Sequence, residues 1–362
     1  MGSSSSVFAP FLESLVDRGI IAGAVALAAD RREVRAVEAF GHADLATRRP
    51  MPDDGVFWIA STSKALAGTL VTMLIEEGRL RPDDPIEKHL PEFRGQMVVA
   101  EQDDDHRPLR RPGHPITLRE CLTHTSGLAF RSPVEESTLD ALPLATAVRS
   151  YAAMALLTEP GAAYRYSNAG TNTAARLVEV VTGQSFEDFL QERLLDPLGM
   201  RDTTFWPDDA RVVPVHRLGG TDDAPGELVE TPVEQLTYPL ADRARRHGFP
   251  AGGLFSTARD VARFGRLIAN GGTLDGRRYL TEASVRQMTA RHTPASAAEA
   301  VGYLWKCDGG LWGHPGACRN QFVVEPQSGV TFVLMVQSAG AGGPAVAEAA
   351  AACQRAAVER FG

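Results

Sequence analysis

The β-rich runs of this chain sit at its two ends, and helical periodicities fill the long stretch between them. That order restricts the fold more than any other feature of the sequence. Near the N-terminus, Ile20 to Ala29 and Glu33 to Phe40 read as short strands joined by the polar turn Asp30-Arg31-Arg32. Near the C-terminus, Gln321 to Val324 and Val330 to Val336 flank Glu325-Pro326-Gln327-Ser328-Gly329 as a hairpin. An amphipathic helix over Phe8 to Arg18 opens the chain, and Pro344 opens a last helix reaching about Arg360. The pattern predicts an α/β (α+β) fold, an antiparallel sheet flanked by helices with a mostly helical domain inserted. The sheet domain is expected over 1–60 plus 225–362 and the helical domain over 61–224, with the active site in the cleft between them.

The helical middle is read from its periodicity. Ser63 to Glu77 is rich in Ala, Leu, Met and Ile, lacks Pro and is followed by Gly78, so it predicts a buried helix with a glycine stop. Further helices are expected at Thr117 to Thr123, Leu142 to Leu157, Gly170 to Val181 and Phe186 to Leu195. The run Glu101-Gln102-Asp103-Asp104-Asp105 predicts a solvated loop, and about 208 to 250 reads as irregular, punctuated by Pro, Gly and Asp. Thr257 with Asp260 forms a capping-box pattern for a helix ending near Asn270. No internal repeat is present.

Composition excludes several classes of function. Thirty-seven basic against 45 acidic residues give a net charge of −8, which argues against a nucleic-acid or anionic-membrane binder. No apolar run is long enough to span a bilayer, and the N-terminus lacks the basic and apolar regions of a secretory signal, so a cytoplasmic location is expected. Cys121, Cys307, Cys318 and Cys353 show no metal-ligand or scaffold spacing and are expected to be free thiols. Neither a His-Glu-x-x-His zinc motif nor a Gly-x-Ser-x-Gly elbow occurs, which disfavours a metallohydrolase and an α/β-hydrolase.

Ser61-Thr62-Ser63-Lys64 stands at the start of the buried helix. A spacing of three puts Ser61 and Lys64 on one face, where the lysine can approach the serine hydroxyl. A serine becomes a nucleophile only when a base takes its proton, and a lysine is a base only where burial favours its neutral form. Taken alone the motif also reads as an N-cap serine, and a chain of this length holds about one Ser-x-x-Lys by chance. Tyr164-Arg165-Tyr166-Ser167-Asn168 and Trp312-Gly313-His314-Pro315-Gly316-Ala317 follow further along. His124 is read as a structural hydrogen-bonder.

In this order the three segments resemble the serine β-lactamase and penicillin-binding-protein superfamily, in its class C-like branch. That branch includes family VIII esterases, D-aminopeptidases and D-alanyl-D-alanine carboxypeptidases. Phe57-Trp58-Ile59-Ala60, Leu122-Thr123-His124-Thr125-Ser126-Gly127-Leu128 and Pro250-Ala251-Gly252-Gly253-Leu254-Phe255-Ser256-Thr257 are similar to further family segments. The resemblance implies a β-lactamase/transpeptidase-like fold and a serine hydrolase that forms an acyl-enzyme on Ser61. Lys64 and Tyr166 would share proton transfer, and Asn168 would hold Lys64 and bind substrate. The backbone N–H groups of Ser61 and Ala317 would form the oxyanion hole, Ala317 from a strand beside the cleft. Gly316 would let substrate lie close to that strand, and no cofactor or metal is implied.

The third motif departs from the β-lactam-processing pattern. Pro315 stands where a Thr or Ser hydroxyl helps bind the substrate carboxylate, and His314, when neutral, brings no fixed charge. Arg319 is the remaining residue with which a substrate carboxylate could pair. The expected substrates are therefore small neutral esters or amides. The alternatives are a D-amino-acid peptidase, a β-lactamase or an acyltransferase, and a noncatalytic binding protein on the same fold.

Overall fold

The computed structural model describes residues 6–100, 108–135, 138–236 and 238–362. The charged loop expected at Glu101 to Asp105 lies outside the described residues. The helices that carry the argument are α1 (Ala9–Asp17), α2 (Ser63–Glu76), α3 (Asn168–Thr182), α4 (Ala258–Ala269) and α5 (Gly343–Phe361). The strands are β1 (Gly23–Ala29), β2 (Val34–Asp44), β3 (Arg49–Pro50), β4 (Val215–Gly220), β5 (Pro225–Thr231), β6 (Trp312–Gly313), β7 (Gln321–Val324), β8 (Thr331–Val336) and β9 (Ser338–Gly340).

Strands from both chain ends assemble one six-stranded sheet in the order β6-β7-β8-β1-β2-β3, antiparallel throughout. This is the expected α/β architecture. β1 and β8 lie at its centre and are buried along their whole length. A strand covered on both faces loses the polar alternation of a half-exposed one, which is why Gly-Ala-Val-Ala-Leu-Ala-Ala and Thr-Phe-Val-Leu-Met-Val read as continuous apolar runs. Alternate residues still divide between two cores. Val25, Leu27, Val333 and Met335 face the core shared with α2 and α4, whereas Ala24, Ala26, Phe332 and Leu334 face the layer of α1 and α5.

Two corrections concern the middle of the chain. The stretch read as irregular contains the hairpin β4–β5, whose strand β4 also pairs in parallel with β9. That hairpin spans positions 224 and 225, so the expected domain boundary falls inside a paired unit. β5 is mostly exposed and opens with Pro-Gly, and a strand without a buried face carries no hydrophobic alternation to read. The helix expected over Leu142 to Leu157 is shorter, Leu144–Ala152. Half of the capping box at α4 forms: the Thr257 side chain accepts from the Asp260 N–H, but the Asp260 carboxylate turns to Asp202 and Thr203.

α2 is buried on every side from Ser63 to Leu74 and is mostly apolar, as suits a helix through the middle of a core. It packs so closely that a Cβ on Gly68 would overlap the Tyr303 carbonyl. Gly78 follows its end at φ +70°, the left-handed stop expected from the sequence.

Candidate active site

Four stretches of chain meet at the N-terminus of α2. Ser61 lies in a single 3₁₀ turn, Ala60–Thr62, that leads into the helix. Ala60 just before it has φ +46°, a conformation that alanine adopts only when its surroundings impose it. The surroundings do so: Ile59 N–H donates to the Leu254 carbonyl, Asn320 Nδ2 donates to the Trp58 carbonyl, and the Trp58 indole donates to the Gly252 carbonyl. The Ser61 hydroxyl is thus held half-buried at the mouth of a helix whose first N–H groups have no partner within the helix.

Lys64 is fully buried. Its Nζ lies 3.3 Å from Ser61 Oγ and donates to Asn168 Oδ1 at 2.8 Å and to the Ala251 carbonyl at 2.6 Å. None of these partners is a carboxylate. Burial therefore pushes the lysine well below its usual pKa. Asn168 reaches it because Ser167 caps α3, its hydroxyl accepting the Gly170 N–H at 3.0 Å, which makes Asn168 the first helical residue.

The Tyr166 ring lies 4.6 Å from Lys64 Nζ, and its phenol interacts with the Ser61 side chain. Burial raises the phenol pKa, so the hydroxyl keeps its proton at neutral pH. Phe130 stacks on the outer side of this ring at 6.1 Å, and His124 packs against it at 4.7 Å. His124 is buried, and burial pushes its pKa well down; its Nδ1 accepts the Ser167 N–H at 3.2 Å. The histidine reading as a structural hydrogen-bonder agrees with that geometry.

The third segment arrives along the outer strand of the sheet. β6 ends at Gly313, and His314 follows, buried, with its ring 6.0 Å from Tyr166. Burial and the nearby Lys64 bring its pKa down to about 3, so the imidazole is neutral. The Thr62 hydroxyl donates to the His314 carbonyl at 2.9 Å and ties this strand to the nucleophile turn.

Two expectations need correction here. Ala317 lies in a turn rather than on a strand, with the Gly316 N–H donating to the Asn320 carbonyl across it. Its own N–H has no acceptor among the described residues. A Cβ on Gly316 would stand 2.6 Å from the Ile59 carbonyl, so the glycine lets the turn approach the segment before Ser61. Arg319 does not enter the cleft. Its guanidinium donates to the Ala341 and Gly340 carbonyls and to the Ser338 hydroxyl.

Sequence reasoning missed one participant and one nearby cation. The Ala251 carbonyl belongs to a segment that was noticed, but a backbone acceptor carries no residue-type signal. Lys306 crosses from β6, paired through backbone bonds with Gly313, and its ammonium is bound by Glu299 at 2.5 Å. No group of three or more potential metal-ligating side chains occurs among the described residues, and no helix there is long and apolar enough to cross a membrane.

The arrangement brings a hydroxyl, a buried amine and a protonated phenol together at the start of α2. Comparison with known proteins gives the same picture at larger scale. Residues 8–356 match the beta-lactamase family model. Penicillin-binding protein 4 of Amycolatopsis lactamdurans is 33% identical over 300 residues, covering 78% of this chain and 72% of that protein. Lovastatin esterase of Penicillium rubens is 30% identical over 304 residues, covering 79% and 73%. The solved structure of EstCE1, described as a hydrolase with promiscuous acyltransferase activity, superposes with a TM-score of 0.79 at 23% identity, covering 96% and 97% of the two chains.

Proposed function

The chain belongs to the beta-lactamase family, and on that premise we propose that it is a serine hydrolase working through an acyl-enzyme on Ser61, acting on small neutral esters or amides. The observation that carries this reading is the buried Lys64, held 3.3 Å from Ser61 Oγ with only carbonyl oxygens as its other partners. An amine kept neutral in that position is a base waiting for the serine proton.

Ser61 Oγ attacks the substrate carbonyl carbon while its proton passes to Lys64 Nζ. The carbonyl oxygen becomes an oxyanion facing the N–H groups of Ser61 and Ala317, which stabilise the negative charge as it develops. The tetrahedral intermediate collapses by breaking the bond to the leaving alcohol or amine. The Tyr166 hydroxyl hands that group a proton and recovers one from Lys64. Water then repeats the sequence on the acyl-enzyme and releases the acid, leaving Ser61 protonated again. Asn168 fixes the lysine and presents its remaining N–H donors to the substrate. The completeness of the set Ser61, Lys64, Tyr166 and Asn168 speaks against a noncatalytic scaffold.

The preference for neutral substrates follows from charge. A carboxylate-bearing substrate needs a cation at the third motif. His314 is neutral there, Arg319 is bound to the β9 backbone, and Lys306 is neutralised by Glu299. The two relatives carry names from opposite sides of this choice, and the local charges support neutral esters.

The test is intact mass after reaction with a serine-directed phosphonate, followed by a panel of short p-nitrophenyl esters, D-amino-acid amides and a chromogenic cephalosporin. One adduct is expected on the wild type and none on Ser61→Ala, which should also lose ester turnover. Ester kcat/KM should exceed that for the cephalosporin by at least about 100-fold. Full esterase activity in Ser61→Ala would refute the mechanism, and efficient cephalosporin turnover with slow ester hydrolysis would refute the substrate class.

A further inference from the structure

The Ala251 carbonyl that accepts from Lys64 is the near end of a hydrogen-bond chain running away from the cleft into the core. The Ala251 N–H donates to Asn172 Oδ1 at 3.2 Å, and Asn172 Nδ2 donates to the Tyr151 hydroxyl at 3.0 Å. Tyr151 in turn donates to Glu135 Oε1 at 2.6 Å, while Glu135 Oε2 accepts the Ser132 N–H at 2.9 Å. Asn172, Tyr151 and Glu135 are each no more than 1% exposed. They come from α3, from the helix Leu144–Ala152 and from the turn Pro133–Glu135. None lies within the three motifs of the site, and packing alone would be served by apolar residues at these buried positions.

The directions of these bonds leave one arrangement. A backbone N–H can only donate, so Asn172 must turn its oxygen toward Ala251 and its NH₂ toward Tyr151. Tyr151, accepting from Asn172, gives its own proton to Glu135. Both oxygens of that carboxylate then accept, as an ionised carboxylate does. Every donor from Lys64 onward points toward Glu135, and the flip of one amide would break two bonds at once.

The consequence for Lys64 is geometric. A neutral amine has two N–H bonds and one lone pair in a tetrahedral array. The carbonyls of Asn168 and Ala251 take the two N–H bonds at 2.8 and 2.6 Å, which leaves the lone pair for the remaining contact, Ser61 Oγ. We propose that Asn172, Tyr151 and Glu135 are positioning residues that aim the Lys64 lone pair at Ser61 by fixing the Ala251 carbonyl. This rests on the reading of Lys64 as the base.

The same chain seals the space behind the lysine. The other titratable groups around Lys64 are Tyr166, His124 and His314, all uncharged near neutrality; farther off are Lys306, paired with Glu299, and Glu135 at the end of the chain, whose pKa burial pushes up. No carboxylate touches Lys64, and burial pushes its pKa well down. A carbonyl free to drift admits water, eases protonation of Lys64 and moves the acid limb of the rate to higher pH.

The experiment follows the rate of Ser61 phosphonylation, by intact mass, across pH for the wild type, Tyr151→Phe, Asn172→Ala and Glu135→Gln. Labelling counts only molecules with an assembled site, so a partly unfolded preparation lowers the amplitude and not the pH limb. The variants are expected to label about 10-fold or more slowly at neutral pH, with the acid limb raised by about one pH unit and with KM for a neutral ester unchanged. A purely structural role predicts lower melting temperatures with the wild-type limb and rate retained, and that result overturns the proposal. The two readings fail separately. An unlabelled wild type, or a labelled Ser61→Ala, removes the serine mechanism, whereas normal wild-type labelling with unshifted variants removes only the positioning chain.

Discussion

A lysine ammonium cannot accept a proton, so the chemistry of this site depends on how the fold treats one nitrogen. Burial without a carboxylate partner pushes the Lys64 pKa well down toward the neutral amine, and burial raises that of the adjacent Tyr166, which stays protonated. The two groups share one proton path and should behave as a unit. Lys64→Ala and Tyr166→Phe are each expected to lower kcat/KM by about 10² to 10⁴, with the double variant losing far less than the product of the two. Multiplicative losses would mean independent roles. A second residue-scale effect concerns stability. His314 titrates near 3 when folded and near 6.5 when unfolded, so between those values the unfolded chain binds the extra proton. Stability is therefore fully present above about pH 6.5 and falls as pH drops toward 3, by up to about 1.4 kcal/mol per pH unit for this histidine. His124 is lowered in the same direction and adds to the slope. Melting temperatures of the wild type and His314→Asn between pH 7 and pH 4 should diverge, the variant losing less; parallel curves would refute the assignment.

At the scale of elements, catalytic geometry is set by where helices begin and where strands end. α2 starts one residue after the Ser61 turn, and α3 starts on Asn168 because Ser167 caps it. The turn beyond β6 approaches the nucleophile turn closely because Gly316 has no side chain to meet the Ile59 carbonyl. Gly316→Ala is expected to push the Ala317 N–H out of line, lowering kcat about 10²- to 10³-fold, the range for loss of one oxyanion donor. Substrate KM should change little. A variant with wild-type kcat would show that the Ile59 contact does not set the turn. The apolar run of α2 and its glycine stop were legible because both are local chemistry, whereas α3 begins two residues before the expected Gly170, at the Ser167 cap. The hairpin β4–β5 was not legible, since β5 has no buried face and β4 is placed by pairing with the distant β9.

At the scale of the whole molecule, distant loops are locked together beside the site. Asp140 and Arg246 form an ion pair at 2.5 Å with both side chains almost wholly buried, and the Asp140 carbonyl accepts the His247 N–H. Leu139 packs in the same cluster as Phe249 and Ala251, so this clamp steadies the strand of chain that delivers the Ala251 carbonyl. Removing one partner strands a buried charge. Asp140→Ala should cost about 3 to 5 kcal/mol, read as a lower melting temperature and a lower denaturation midpoint. A change of under about 1 kcal/mol would show that the loops are held by packing alone.

The sequence by itself determined what depends on neighbours along the chain. Apolar runs at both ends announced a covered central sheet, and the spacing of Ser61 and Lys64 placed them one helical turn apart. The motifs built on Tyr166, Asn168 and His314 carried enough residue-type chemistry to name the family before any coordinate. Tertiary structure alone decided what depends on residues far apart. It turned Arg319 onto the β9 carbonyls, gave Gly316 to the Ile59 contact and made His314 neutral by burying it. It also brought Lys64, Ala251, Asn172, Tyr151 and Glu135 into one chain of bonds from five separate stretches. The physical reason is that a side chain's type and spacing are local properties. Its dielectric surroundings and its backbone partners come into existence only when the sheet closes over both ends of the chain.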